Sequence, residues 1–316
     1  MKLVILDALT LGNDLDMSCL NDFGKFESFP LTPKDETLSR IIDADIVITN
    51  KVILGKNEIE KATNLKLICV AATGYNNIDI EAARQQNIVV TNVKNYSTES
   101  VVQHTFALML AIQNSLVENI TDVRNGKWSL SPSFTMLNYP LTELFSKTLG
   151  IVGFGNIGRR VAEVAGAFGM NVLVAKRPGV VYNDFDRVEL DEMLKKSDIV
   201  SIHTPLSDNT LNLITLEKLK LMKPNAILIN MARGGIVNEP DLSIALTSKI
   251  IRAAATDVCT TEPIPGNHIF NGLNNMVITP HIAWASLESR KRLLDGIVNN
   301  IRKFISGDTE EMNLAL

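Results

Sequence analysis

TLGIVGFGNIGRRVAEVAGAF, residues 148–168, is the stretch whose reading decides the fold. It opens on an apolar run, Thr148 to Val152, that reads as a strand, and Gly153, Gly155 and Gly158 follow at once. Arg159 to Phe168 then continue as a helix that Gly169 can stop. Each glycine answers a separate need. Gly153 allows the tight turn, Gly155 lets a pyrophosphate approach the backbone, and Gly158 lets helix and strand pack closely. The phosphates sit at the positive end of the helix, so Gly153, Gly155, Asn156, Ile157 and Gly158 are the expected cradle. A strand before the glycines and a helix after them are the context that makes the pattern a dinucleotide site.

Reading onward, the next strand, Asn171 to Ala175, should end in an acid that accepts from a ribose 2′-hydroxyl. Lys176 and Arg177 stand there instead. An acid repels a 2′-phosphate and two cations attract one, so the reading leans to NADP(H) over NAD(H). The strand Asp198 to Ile202 leads into His203, Thr204, Pro205 and Leu206, which leave the carboxyl end of a strand, where open α/β sheets place their ligands. Pro205 stiffens that segment so that it can lie along the cofactor.

Reading backward, residues 1–91 alternate β-rich runs at 2–6, 45–49, 66–70 and 88–91 with helical segments at 33–43, 56–63 and 79–87. The alternation predicts a parallel sheet covered by helices on both faces. A single long helix is expected from Ser97 to Asn125, apolar nearly all round and therefore buried, with His104 as a core or interface residue. Residues 126–146 read as a loop or arm. A last helix, about 286–306, is expected to pack back on the first domain and make it discontinuous. The domains are then 1–97 with 286–316, and 98–285.

The chain has 316 residues, 46% hydrophobic and 21% charged, which suits a two-domain globular protein and excludes disorder, fibrous repeats and disulfide scaffolds. Thirty-one Lys and Arg against 35 Asp and Glu leave a net charge of −4, which argues against nucleic acid or an anionic membrane as partner. Cys19, Cys69 and Cys259 are odd in number and far apart, as expected of reduced thiols in a cytoplasmic protein. Met1 to Leu6 read as a first strand and not as a signal peptide. No His/Cys/Asp cluster has metal-ligand spacing, so no metal is expected, and His268 receives no role.

Three strand ends carry the chemistry. Arg233 follows the strand Ala226 to Ile229 within Asn230-Met231-Ala232-Arg233-Gly234-Gly235. Asp257 ends the next apolar segment, and Glu262 follows in a loop before Pro263. His281 follows Val277 to Pro280, with Pro280 fixing its approach. An arginine, a carboxylate and a histidine at separate strand ends form the set that reduction of a 2-oxo acid needs.

The order G-x-G-x-x-G, ARGG, Glu before Pro, then TPH resembles the D-isomer-specific 2-hydroxyacid dehydrogenases over nearly the whole chain. LDALTLG at 6–12, ITNKV at 48–52, AATGYNNID at 71–79 and TPHIAWA at 279–285 resemble the glycerate dehydrogenases, or hydroxypyruvate reductases, within that family. The resemblance implies two doubly wound parallel-sheet α/β domains, a Rossmann cofactor domain and a discontinuous flavodoxin-like substrate domain, with the active site in the cleft between them. His281 would be the general acid in reduction. Glu262 would hydrogen-bond its other ring nitrogen, orienting the ring and favouring its protonated form. Arg233 would bind the substrate carboxylate as a planar fork.

The cofactor set implied by the family further includes Thr210, Met231, Ala232, Asp257 at the nicotinamide end and Ala283. The substrate set includes Lys51 and the Ala72-Thr73-Gly74 loop, which offers backbone amides to the carboxylate. The substrate is a small 2-oxo or 2-hydroxy acid, hydroxypyruvate or glyoxylate first, and the assembly a homodimer. The rivals are a D-lactate or phosphoglycerate dehydrogenase and a non-catalytic dinucleotide-sensing scaffold. Against the phosphoglycerate type stand few cations near residues 71–79 and a chain that stops soon after the last helix.

Overall fold

The computed structural model describes residues 1–177, 187–308, 312, 314 and 315, and divides into two units, Met1–Ser97 with Trp284–Leu316 and Thr98–Ala283. The first unit is built on five parallel strands: β1 (Lys2–Ile5), β2 (Lys25–Ser28), β3 (Ile46–Thr49), β4 (Leu67–Val70) and β5 (Val89–Thr91). Their order is β2-β1-β3-β4-β5, the flavodoxin-like arrangement. Residues on a strand alternate faces. Leu3, Ile5, Ile46, Ile48, Leu67 and Cys69 accordingly share a core with Leu293, Leu294, Ile297, Val298 and Ile301 of the helix Leu287–Ser306. Val4, Val47, Ile68 and Val70 point the other way, onto Ile41, Ile59, Ala82 and Ala83. Gly296 permits the close approach of that last helix, since a Cβ there would lie 2.5 Å from Val93 Cγ1.

The second unit has seven parallel strands: β6 (Thr148–Val152), β7 (Asn171–Ala175), β8 (Arg187–Val188), β9 (Ile199–Ile202), β10 (Ile227–Asn230), β11 (Ala253–Thr256) and β12 (Met276–Ile278). The order is β12-β11-β10-β9-β6-β7-β8. The first six in sequence give the dinucleotide-binding order 3-2-1-4-5-6 and β12 adds a seventh. The direction of winding reverses at β6, so the carboxyl ends of β6 and β9 flank the crevice where such sheets bind ligands. Both expected parallel-sheet α/β domains are thus present.

Two expectations are corrected. The long helix is two helices, Thr98–Gln113 and Leu116–Arg124, broken at Ser115, which takes a left-handed φ of 43° and donates its hydroxyl to the Pro140 carbonyl at 2.9 Å. Only the first is buried along its apolar side; Leu116, Val117, Ile120 and Val123 of the second are exposed. The segment KFES, passed over in the sequence, is the edge strand β2. No helix among the described residues is long and apolar enough to cross a membrane.

Candidate active site

The three glycines after β6 occupy three different environments. Gly153 has φ +92°, and a Cβ there would stand 2.6 Å from the His203 carbonyl carbon and the Thr204 nitrogen. A Cβ on Gly158 would lie 2.2 Å from the Gly153 carbonyl oxygen. Gly155 caps the helix Asn156–Ala167, and a Cβ on it would meet nothing within 4 Å. Two glycines are therefore required by packing within the protein. The third keeps open space at a helix N-terminus, where an anion binds. That cradle fits a dinucleotide pyrophosphate.

At the end of β7, Lys176 Nζ lies 3.3 Å from Glu189 Oε1, both side chains well exposed, and Arg177 follows, also exposed. The pair of cations read from the sequence therefore has an acid beside it. At the end of β9, the His203 amide donates to the Val152 carbonyl at 2.7 Å and its Nε2 meets Ser201 Oγ at 2.8 Å. Burial pulls the His203 pKa down to about 3, so the ring is neutral. Its Nδ1 is buried without a hydrogen-bond partner among the described residues. Beyond Thr204, Thr210 Oγ1 donates to the Pro205 carbonyl and accepts from the Ser207 amide, each at 2.7 Å, which closes this loop on itself.

Arg233 is exposed and its Nη1 donates to the Ala232 carbonyl at 2.7 Å. Asn230, the last residue of β10, fixes this loop: its amide donates to the Arg233 carbonyl at 2.9 Å and its oxygen accepts from Ala232 N at 3.1 Å. Met231 and Ala232 are buried between. Gly234 presses on the next loop, since a Cβ there would be 2.1 Å from the Cys259 carbonyl carbon.

His281 and Glu262 meet. Nδ1–H of His281 donates to Glu262 Oε2 at 2.6 Å, while Glu262 Oε1 accepts from Cys259 N at 2.9 Å. With Nδ1 engaged, Nε2 is the ring nitrogen able to exchange a proton with a reactant. His281 sits at φ +56°, a left-handed backbone unusual for a residue with a side chain. Asp257, 2% exposed, holds the segment on either side of it. Its carboxylate accepts from Thr279 Oγ1 at 2.6 Å, Ile282 N at 2.9 Å and Ala283 N at 2.8 Å. Since the Thr279 hydroxyl is spent on Asp257, His104 donates Nε2–H to Thr279 Oγ1 at 2.9 Å. His104 thus adjoins this polar network, where the sequence suggested only core or interface.

In the first unit, the Lys51 loop hangs from the buried carboxylate of Asp7, which accepts from the amides of Asn50 at 2.9 Å, Lys51 at 2.6 Å and Val52 at 3.2 Å. Ala72 and Thr73 are tied to residues 92–93: Val93 N donates to the Ala72 carbonyl at 3.1 Å and Asn92 Nδ2 to the Thr73 carbonyl at 2.6 Å. Gly74 follows, half-buried. Sequence reading missed Asp7, Asn230, Thr279 and His104, which act through other residues. Of these, Asn230 directly precedes the ARGG run, Thr279 opens TPHIAWA and Asp7 lies within LDALTLG, whereas His104 carried no such signal.

The fold also assembles a cluster that no spacing announces. Glu239, Cys259 and His268 bring potential metal-ligating atoms within 4.8 Å of one another. Both ring nitrogens of His268 are already committed, Nδ1 accepting from Phe270 N at 3.3 Å and Nε2–H donating to Glu239 Oε2 at 3.2 Å.

The D-isomer specific 2-hydroxyacid dehydrogenase NAD-binding domain matches residues 106–283. The chain is 41% identical to a hydroxypyruvate reductase of Blautia hydrogenotrophica over 97% of this sequence and 98% of that one. It is 37% identical to a glycerate dehydrogenase of Methylorubrum extorquens over 98% of each. An acyclic imino acid reductase, solved with NADPH and D-Arg, is similar at a TM-score of 0.88 and 32% identity over the whole of both chains.

Proposed function

The chain belongs to the D-isomer specific 2-hydroxyacid dehydrogenases, and from that premise we propose that it interconverts hydroxypyruvate and D-glycerate, with glyoxylate as the second 2-oxo acid. The observation that carries the reading is the 2.6 Å contact of His281 Nδ1 with Glu262, which leaves Nε2 to deliver a proton to the carbonyl oxygen on reduction and to take it back on oxidation. The nicotinamide cofactor supplies or accepts the hydride. Gly153, Gly155, Asn156, Ile157 and Gly158 would hold its pyrophosphate, with Lys176 and Arg177 at the ribose end. His203, Thr204, Pro205, Thr210, Met231, Ala232, Asp257 and Ala283 would hold the remainder. Arg233 would take the substrate carboxylate in a two-pronged contact, with Lys51 and the 72–74 amides as further substrate contacts.

NADPH is the proposed preferred cofactor, on Lys176 and Arg177; Glu189 beside Lys176 moderates the preference. The acyclic imino acid reductase, which was solved with NADPH, lends support. A homodimer is proposed because Leu130, Phe134 and Leu137 are 86, 88 and 74% exposed, apolar surface that a second copy would cover. The thiols of Cys19, Cys69 and Cys259, none of them paired, suit a cytoplasmic setting.

The test is the initial rate of hydroxypyruvate and glyoxylate reduction with NADPH and NADH in parallel. Turnover lowered about 10²–10⁴-fold in His281→Gln is the expected result. Turnover of D-lactate or a phosphorylated acid alone would move the reading to those relatives. Loss of no biological role in His281→Gln would favour a dinucleotide-sensing scaffold.

A further inference from the structure

Glu262 is held by the Cys259 amide and meets His281. It lies in an exposed stretch directly before Pro263, and its side chain is 35% exposed, yet its carboxylate must keep one orientation if it is to orient His281. The structure places a second carboxylate under both ends of this loop. Glu239, in the first turn of the helix Glu239–Thr247, accepts from Thr260 N through Oε1 at 2.7 Å and from His268 Nε2–H through Oε2 at 3.2 Å. His268 then accepts from Phe270 N and stacks edge-on against the Phe270 ring, centroids 4.9 Å apart, and that ring is 3% exposed in the core. Both partners are largely buried, Glu239 at 14% and His268 at 9% side-chain exposure.

We propose that Glu239 and His268 are positioning residues for the acid–base pair: one carboxylate clips the loop 260–268 at both ends and so fixes the Cys259 amide that holds Glu262. The loop cannot slide toward β10, because Gly234 already meets the Cys259–Thr260 backbone. The same few residues therefore set the Arg233 loop and the Glu262 loop against each other. A carboxylate suits the position because it accepts two donors, whereas an amide in its place turns an N–H toward one of them. The inference deepens the proposed reduction of a 2-oxo acid and rests on it for its kinetic arm.

The kinetic arm is a double-mutant cycle on kcat. Glu239→Gln lowers kcat about 10–100-fold, as expected for a misplaced acid–base group, with KM for the 2-oxo acid changed less than about threefold. In a Glu262→Gln background the same change costs less than about twofold, because the group being positioned is gone. Glu239→Asp restores part of the loss. A merely structural role predicts equal losses in both backgrounds, and that result overturns the proposal.

The second arm needs no turnover. In proton NMR spectra the His281 Nδ1–H in its short bond to Glu262 gives a far-downfield resonance, which Glu239→Gln and His268→Gln are expected to broaden or shift while the rest of the spectrum stays native. An unchanged resonance in both variants overturns the proposal even if no 2-oxo acid is turned over.

Discussion

Replacing Asp257 with Asn tests what holds His281 in its left-handed conformation. Asp257 Oδ1 accepts from Thr279 Oγ1 and Ile282 N, and Oδ2 from Ala283 N, all in a site 2% exposed. The amide retains one oxygen. Placed toward Thr279 and Ile282, it keeps two bonds but reduces each from charged to neutral strength, and it turns NH₂ toward the Ala283 N–H. Weakening two bonds and orphaning one buried donor costs about 2–5 kcal/mol together. For a unit of this size a kcal/mol corresponds to roughly 2–4 °C in the unfolding midpoint, so a drop of about 4–20 °C is expected. A non-glycine residue in the left-handed region is itself disfavoured by about 1–2 kcal/mol, so the loosened segment relaxes and His281 loses its aim. A fall of at least tenfold in kcat should accompany the lower midpoint. The melt is followed by near-ultraviolet circular dichroism without cofactor, so that no lost cofactor contact enters. A midpoint within about 2 °C of wild type, with kcat unchanged, refutes the reasoning.

Gly155→Ala should fold and melt like the parent, since its Cβ meets nothing, yet bind NAD(P)H at least tenfold more weakly; Gly158→Ala, with its Cβ against the Gly153 carbonyl, should lose both stability and binding in melts and fluorescence titrations. His203 makes the protein acid-sensitive. Its folded pKa of about 3 lies below the ordinary 6.5, so the unfolded chain binds a proton that the native state refuses, and stability falls as pH drops from about 6.5 toward 3. The slope from this group alone approaches 1.4 kcal/mol per pH unit. Urea midpoints of His203→Gln should fall less steeply over that range, and parallel profiles would remove the assignment. Lys176→Ala with Arg177→Ala should weaken NADPH about tenfold or more and leave NADH within about twofold. Equal losses for both cofactors would show that these cations do not read the 2′-phosphate.

The strands legible in the sequence are those buried on both faces, such as Ile46–Thr49 and Leu67–Val70, whose continuous apolar runs leave no other reading. Lys25–Ser28 carries two charges and a single large apolar residue because it is an edge, and an edge strand is not obliged to be apolar. The helix break at Ser115 was invisible because neither glycine nor proline marks it, and what stabilises the turn is a carbonyl at Pro140, far along the chain. In the candidate site, Arg233, Glu262 and His281 stood out because each follows a strand and neighbours glycine or proline. The roles of Asp7 and Thr279, although both lie in quoted motifs, and those of His104 and the Glu239–His268 pair were not legible, since each acts on a segment distant in sequence and becomes meaningful only when the sheet has brought the two together.

The first unit is written in two pieces, and this has a consequence for synthesis on the ribosome. The face of its sheet formed by Leu3, Ile5, Ile46, Ile48, Leu67 and Cys69 waits for Leu293, Leu294, Ile297, Val298 and Ile301 of the last helix to cover it. At about 5–20 residues per second, the interval between Ser97 and Leu287 lasts roughly 10–40 s. The second unit, Thr98–Ala283, is contiguous and can finish within that interval. The first unit is therefore the last to mature, and a nascent chain stalled before residue 287 presents an oily sheet face to chaperones instead of a native unit.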